Sequence, residues 1–382
     1  MQLWLEIQQK LFASLTKKMI KKILFVLHLP PPIHGSAMVG QYIKDSRIIQ
    51  DQFDSHFINL GTSLTINEIG KNPVRKISLY IKIIGAVIKR LCITKYDILY
   101  VALTAKGIGF YKDFVIVLLA KLFGVTLLLH FHNKGVADRQ HRFFDNLLYS
   151  ILFKNAKVIL LSPLLYYDIK KYVKPEDVFY CPNGIPENHT LNKLATINTS
   201  NVNLLFLSNL IESKGVYVLL EACRCLAAKQ LPFTCTFVGG EGDITAEDVA
   251  NKIKKLKLEN HVQYLGKLYG EHKTKVFASS DVFVLPTFYP NECFPLVLLE
   301  AMQNSMPIIS TFEGGIPDIV QEGVTGLLVK QKDTKSLAEQ LEVLIKNSNL
   351  RANMGFAAKA KFDQEYTLPL FEKRFANILT KV

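Results

Sequence analysis

ECFPLVLLEAM, residues 292–302, reads as the start of a helix whose first turn is left open to a ligand. Pro295 suits a first turn, where its missing N–H costs nothing, and Leu296 and Val297 then carry backbone N–H groups with no intrahelical partner. A helix start of this kind attracts anions. Glu300 lies four residues after Leu296 and so on the same face one turn deeper, where its carboxylate can accept from hydroxyls beside a bound phosphate. Glu292 precedes the helix and can reach a different hydroxyl-bearing group. Because Glu300 sits among Leu298, Leu299, Ala301 and Met302, an unpaired carboxylate there would be costly, so a ligand or a partner is expected.

The helix stands between two short apolar runs, DVFVLPT (281–287) and PIIST (307–311), which fixes a strand, helix, strand order. Similar runs extend in both directions. NLLFLSN, FTCTFVGG, VQYLG and GLLV complete one series from residue 203 to 329; KKILFVLHL, SHFINLG, DILYVAL, VTLLLHFH, KVILLS and VFYCPNG form another from 21 to 184. They are continuous rather than alternating in polarity, as parallel strands covered on both faces should be. The chain of 382 residues, 49% hydrophobic, therefore divides into two α/β domains of the usual size. Open parallel sheets bind ligands beyond the carboxyl ends of their strands, and two facing sheets would enclose a cleft.

The expected boundaries are an N-terminal extension (1–18), a first doubly wound domain (19–186), a polar linker (187–201), a second domain (202–354) and a helical tail (355–382). The tail has apolar residues at helical spacing, among them Phe362, Tyr366, Phe371, Phe375 and Ile378, and could pack across either domain. The most apolar stretch, Phe114 to Phe131, is interrupted by Lys121 and Gly124, so it reads as a buried helix followed by a strand rather than a membrane span.

The net charge of +13 is unevenly placed: residues 1–185 hold 25 Lys and Arg against 12 Asp and Glu, whereas residues 186–382 hold 21 of each. The first half is thus expected to meet an anionic partner. Nucleic acid is not expected, since no Lys/Arg run is interleaved with aromatics. RKISLYIKIIGAVIKRLC (75–92) instead reads as a basic amphipathic helix, suited either to the headgroup plane of an anionic membrane or to burial in the domain. The six cysteines form no C-x-x-C pair, so neither a disulfide framework nor a zinc site is expected, and a cytoplasmic location fits. No D-x-D pair, P-loop lysine motif or G-x-G-x-x-G followed by a ribose acid is present, which leaves acidic-metal, ATP and NAD chemistry without support.

Two glutamates with seven residues between them, in a segment running on to MPIISTFEGGIPDIVQEGVTGLLV, resemble the motif of retaining glycosyltransferases of the GT-B fold, family GT4. The resemblance runs from about residue 20 to the end and is tighter in the second half. It implies two facing Rossmann-like domains with a central cleft, a nucleotide-sugar donor carried by UDP or GDP, and no cofactor and no metal. It also assigns Glu292 to the transferred sugar and Glu300 to the nucleotide ribose, with Phe294, Leu296 and Val297 beside the donor. In FLSNLIESKGVYVLLEA the family's diphosphate-clasping pair is matched by Lys214-Gly215, but Asn209 stands where the family often has Arg. Phosphate stabilisation would shift onto Lys214 and the Leu296 and Val297 amides, or onto a basic residue elsewhere.

In LLLHFHNKG, His130 and His132 are expected to diverge, His132 alone entering the cleft as the catalytic candidate and His130 staying in the core. HLPPPIHGSAM resembles the family's glycine loop over the donor phosphates, with Gly35 and Ser36 in place of two glycines. The backbone near Gly266 would flank the base, and VGGEGD and EGGIP are weaker matches. The acceptor implied is a glycan or a lipid-linked precursor of a cell-surface polysaccharide or lipopolysaccharide, met on the cytoplasmic face of the membrane. A nucleotide-sugar 2-epimerase or an inactive binding scaffold of the same architecture are the other readings open at this point.

Overall fold

The structure, a computed structural model, describes residues 20–61, 73–188 and 201–382. The expected N-terminal extension and most of the expected linker lie outside the described residues. All twelve expected strands form. In the first domain β1 (Lys22–Leu27), β2 (Asp54–Asn59), β3 (Ile98–Leu103), β4 (Thr126–Phe131), β5 (Ala156–Leu160) and β6 (Val178–Tyr180) make a parallel sheet in the order β2-β1-β3-β4-β5-β6. In the second, β7 (Val202–Leu207), β8 (Phe233–Val238), β9 (Val262–Tyr264), β10 (Val282–Val284), β11 (Ile308–Thr311) and β12 (Gly326–Val329) make another in the order β12-β11-β10-β7-β8-β9.

In each sheet the strand order reverses once, between β1 and β3 and between β7 and β10. The two flanking loops leave in opposite directions at such a point, and a crevice opens where ligands bind.

Strand side chains alternate between faces, and the first sheet divides its covering helices accordingly. Leu24, Val26, Leu99, Val101 and Leu129 pack under the helices Pro73–Ile93, Gly107–Leu122 and Phe143–Phe153. Ile23, Phe25, Tyr100 and Leu128 face the other way, against Val39, Ile43, Ile49 and the C-terminal helix Leu368–Lys381. The break in the apolar stretch falls where expected: the helix ends at Leu122 and Gly124 takes a left-handed turn (φ +64°) before β4.

The tail does pack across a domain, and it is the first one. The expected junction at Gly355 lies inside the single helix Ser348–Glu365, which stays on the second domain; the chain crosses only at Thr367. There Ile185 N–H donates to the Tyr366 carbonyl (3.0 Å) and Leu368 N–H to the Ile185 carbonyl (2.8 Å). Gly184 is required at this crossing, since a Cβ would lie 2.5 Å from the Thr367 carbonyl oxygen. Phe371, Phe375 and Leu379 then bury against the first sheet, and Lys21 donates to the Thr380 carbonyl (2.8 Å) near the helix end.

Candidate active site

The reversal between β7 and β10 gathers most of the expected residues. Beyond β7 the chain makes a short turn, Glu212–Lys214, and Gly215 caps it at φ +91°. A side chain on Gly215 would put Cβ 2.3 Å from the Pro286 carbonyl oxygen, so this pair of loops can close only on glycine. The loop after β10 is tied to the same turn, with Phe288 N–H donating to the Ser213 carbonyl at 2.7 Å. Lys214 is thereby held over the Tyr289 ring, 4.6 Å from its centroid, with its ammonium hydrogen-bonded to the Glu292 carboxylate. Glu292 is only 7% exposed.

The helix Leu296–Gln303 follows, with Pro295 in extended backbone as its cap residue. The expected first-turn proline thus stands one position outside the helix, and the unpartnered N–H groups begin at Leu296 as the reading required. Phe294 does not face a ligand with its ring, which is 5% exposed and packs edge-on to Tyr366 at 5.8 Å. Below this loop, Gly314 (φ +56°) leaves room for the Glu292 carbonyl, which a Cβ would approach to 2.3 Å. That gives EGGIP a supporting role under the glutamate.

Glu300 has the partner its surroundings demanded: Lys273 Nζ at 2.7 Å, from the helix Gly270–Ala278. It also faces the first domain. The Tyr42 phenol is pushed up to about 12, first by burial and then by the Glu300 charge. Gly35 closes on the same helix from across the cleft, since a Cβ there would sit 4.0 Å from Leu296 Cδ1. Gly35 and Ser36 open the helix Gly35–Asp45, whose third N–H, that of Ala37, donates to the His34 ring (3.3 Å), which also bonds Ser36 Oγ (3.0 Å). Two helix starts, one per domain, therefore face the same space.

Asn209 and Gly266 meet in a separate cavity of about 380 Å³ at the ends of β7, β8 and β9, together with Gly240, Glu241, Ala246, Tyr264 and Lys267. Gly239 lets the strands approach here, since a Cβ would lie 1.7 Å from the Ser208 carbonyl oxygen. Lys267 is a basic residue beside Asn209: a Cβ on Gly240 would touch both, at 3.4 Å.

His130 and His132 do not diverge. Strand residues two apart share a face, and the two rings lie 4.1 Å apart just where β4 ends. The Tyr100 hydroxyl bonds His130 Nδ1 at 2.7 Å, so His130 is the core residue expected, while His132 is half-buried at the cleft. His28 and His34, 5.8 Å apart, join them from the loop after β1. Burial lowers His132 to about 3, reinforced by His28 and His34; burial also lowers His28 to about 4, with the Asp113 carboxylate opposing. Both are neutral at pH 7, so His132 is suited to give or accept a hydrogen bond rather than to carry charge.

These depressed values tie stability to pH. Below about pH 6.5, the usual histidine value, the unfolded chain takes up protons that the folded one refuses, so stability must fall as pH drops from 6.5 toward 4. Each histidine contributes a slope approaching ~1.4 kcal/mol per pH unit. Urea unfolding between pH 7 and 5 should show this decline, and His132→Asn should flatten it; an unchanged slope in that variant would remove His132 as a source.

Two interdomain contacts escaped sequence reading. Lys134 pairs with Glu313 at 2.5 Å, and the Ser162 hydroxyl donates to the Asp318 carboxylate. Burial opposes the Lys134 charge, but Glu313 and Tyr167 outweigh it and hold its pKa above the usual lysine value. Among the described residues, Glu292, Glu300 and Glu313 each have a lysine partner. No sequence signal pointed to Lys273, Lys134 or Tyr289.

Two parallel doubly wound domains facing across such a cleft are the GT-B fold. The same fold is seen in HepE of Anabaena in complex with UDP and glucose, with a TM-score of 0.70 at 18% identity over 95% of this chain and 100% of that one. Residues 190–361 match the family glycosyl transferases group 1. Among curated relatives, the chain is 29% identical to the amylovoran biosynthesis glycosyltransferase AmsK of Erwinia amylovora over 52% of this chain and 49% of that one. It is 24% identical to the putative colanic acid biosynthesis glycosyltransferase WcaL of Salmonella typhimurium, over 66% and 63%. The matches thus span about half to two thirds of those relatives.

Proposed function

We propose that the protein transfers a sugar from a nucleoside diphosphate sugar to an acceptor hydroxyl, with retention of anomeric configuration and without a metal. The observation that carries this reading is the meeting of Lys214, Glu292 and the open helix start at Leu296 in the β7/β10 crevice, opposite the helix start at Gly35. Glycosyl transfer develops positive charge on the sugar and negative charge on the departing phosphate. Lys214 and the Leu296 and Val297 N–H groups are placed to meet that negative charge. The bond from the anomeric carbon to the phosphate oxygen breaks, the acceptor oxygen bonds on the same face, and its proton passes to the leaving phosphate.

Glu292 then orients the transferred sugar through its hydroxyls, Glu300 accepts from the ribose, and the cavity beside Gly266 takes the base. His132, neutral, bonds the donor sugar. UDP is favoured as carrier by the likeness to HepE, with GDP the alternative, and relatives named for exopolysaccharide synthesis support a glycan or lipid-linked acceptor met on the cytoplasmic side. Calorimetric titration with UDP and GDP tests the donor half of this reading. One of them should bind, and Glu300→Ala should weaken it about tenfold, the scale of a charge-assisted hydrogen bond. Unchanged affinity in the variant would remove the ribose role, and activity lost on adding EDTA would contradict metal-free transfer.

A further inference from the structure

The outer side of the first domain carries a surface that the crevice does not use. The helix Pro73–Ile93 buries Val87 and Leu91 against the sheet but leaves Ile77, Ile81 and Ile88 exposed, by 60%, 64% and 38%. Its apolar stripe is wider than the core needs. Its neighbour Gly107–Leu122 exposes Ile108, Val115, Leu118 and Leu122, and the next helix, Phe143–Phe153, exposes Phe143, Leu147 and Ile151. These spacings are helical, so each set forms a stripe along its helix.

The three stripes lie side by side. The Tyr80 hydroxyl donates to the Lys112 carbonyl, the Tyr111 ring lies 6.1 Å from Phe144, and Lys121 Nζ donates to the Lys154 carbonyl at 2.5 Å. All three helices cover the same face of the first sheet, so the stripes form one apolar surface, larger than isolated exposed residues explain.

The exposed charges on the helices themselves have one sign. Arg75, Lys82, Lys89 and Arg90 are exposed on the first helix, and Arg142 and Lys154 flank the third. The only carboxylates within these helices, Asp113 and Asp145, are 0% and 3% exposed. Asp138, on the turn between, is paired with Lys106 at 2.6 Å. Apolar stripes on helices whose exposed charges are all cationic suit acyl chains under anionic headgroups. Among the described residues no helix is long and apolar enough to cross a membrane.

We propose that this three-helix face docks on an anionic lipid bilayer. Helices following parallel strands run back along them, so Ile108, after β3, and Phe143, after β4, stand at the cleft end of the layer. They are the two most exposed large apolar side chains among the described residues, at 87% and 86%. Docking by this edge brings the cleft mouth to the headgroups, where a lipid-borne acceptor would enter; this last step rests on the transferase reading, the docking itself does not.

Flotation of the full chain with phosphatidylcholine vesicles, with and without roughly a third phosphatidylglycerol, tests the surface. The protein should float with the anionic vesicles only, and salt should weaken the binding. Ile108→Asp with Phe143→Asp, and separately Lys82→Glu with Arg90→Glu, should each reduce binding at least about tenfold. Melting temperature and UDP binding should be unchanged in both, since these side chains lie outside the core and the crevice. Equal binding to neutral vesicles, no binding to either, or unaltered binding by the variants would overturn the proposal, as would a dimer dispersed by the aspartates without vesicle binding. Because UDP and GDP binding are read on the same samples, the absence of both with vesicle binding intact would count against the transferase and not against the docking face.

Discussion

Lys214→Ala is expected to lower turnover by about 10²- to 10³-fold, the scale seen when one donor to a developing oxyanion is removed. The ammonium sits over Tyr289 and against Glu292. The same substitution leaves the Glu292 carboxylate, 7% exposed, without its counter-charge, and breaking a buried pair from one side typically costs ~3–5 kcal/mol. Melting temperature should therefore fall as well. Glu292→Gln separates the two effects, because it removes the carboxylate charge from the sugar side while its amide oxygen can still accept from Lys214. Turnover of Lys214→Ala within a few fold of the parent would contradict the role of the lysine at the leaving phosphate.

The second large effect is on the fold. Phe375 lies on the C-terminal helix, yet its ring is buried against the first sheet, 6.4 Å from Phe25, 5.5 Å from Tyr100 and 6.2 Å from His130. Phe375→Ala should cost ~3–5 kcal/mol, the transfer of the ring plus the cavity it leaves, against a total stability of typically ~5–15 kcal/mol. Urea unfolding should register that loss, and amide exchange in β1 and β3 should accelerate with it. A loss under about 1 kcal/mol would mean that the helix is only laid on the sheet.

The strands were legible because each is a short apolar run closed by a glycine, proline or polar turn, and because burial on both faces removes the alternation that would confuse it with other classes. The site was legible where backbone geometry dictates residue type. Lys214-Gly215 survives because the turn needs a left-handed cap against Pro286, and the Leu296 helix start because proline stops the chain just before it. What could not be read were the partners. Lys273 sits on a polar helix with nothing to mark it, and Lys134 meets Glu313 only because two domains close on each other. The tail's destination was open for the same reason: Phe371 and Phe375 show that a helix has an apolar face, not which sheet it covers.

The histidines carry a different lesson. Spacing of two in a strand puts side chains on one face, and the close rings of His130 and His132 follow from that period alone. Asn209, the departure from the family pattern, shares a cavity with Lys267, and on the proposed reading that lysine is the additional cation for the diphosphate. Lys267→Ala should then weaken UDP or GDP binding at least about threefold in the same calorimetric titration; equal affinity would leave Lys214 and the helix N–H groups as the whole phosphate site.

The most direct measurement incubates the protein with a panel of UDP-, GDP- and ADP-sugars, with and without membrane lipid extract, and identifies the products by mass and anomeric configuration. One nucleotide sugar should release its nucleoside diphosphate and yield a lipid-extractable glycoside of unchanged anomeric configuration. Recovery of an epimerised nucleotide sugar without any acceptor, or binding with no turnover of any donor, would contradict the transferase reading.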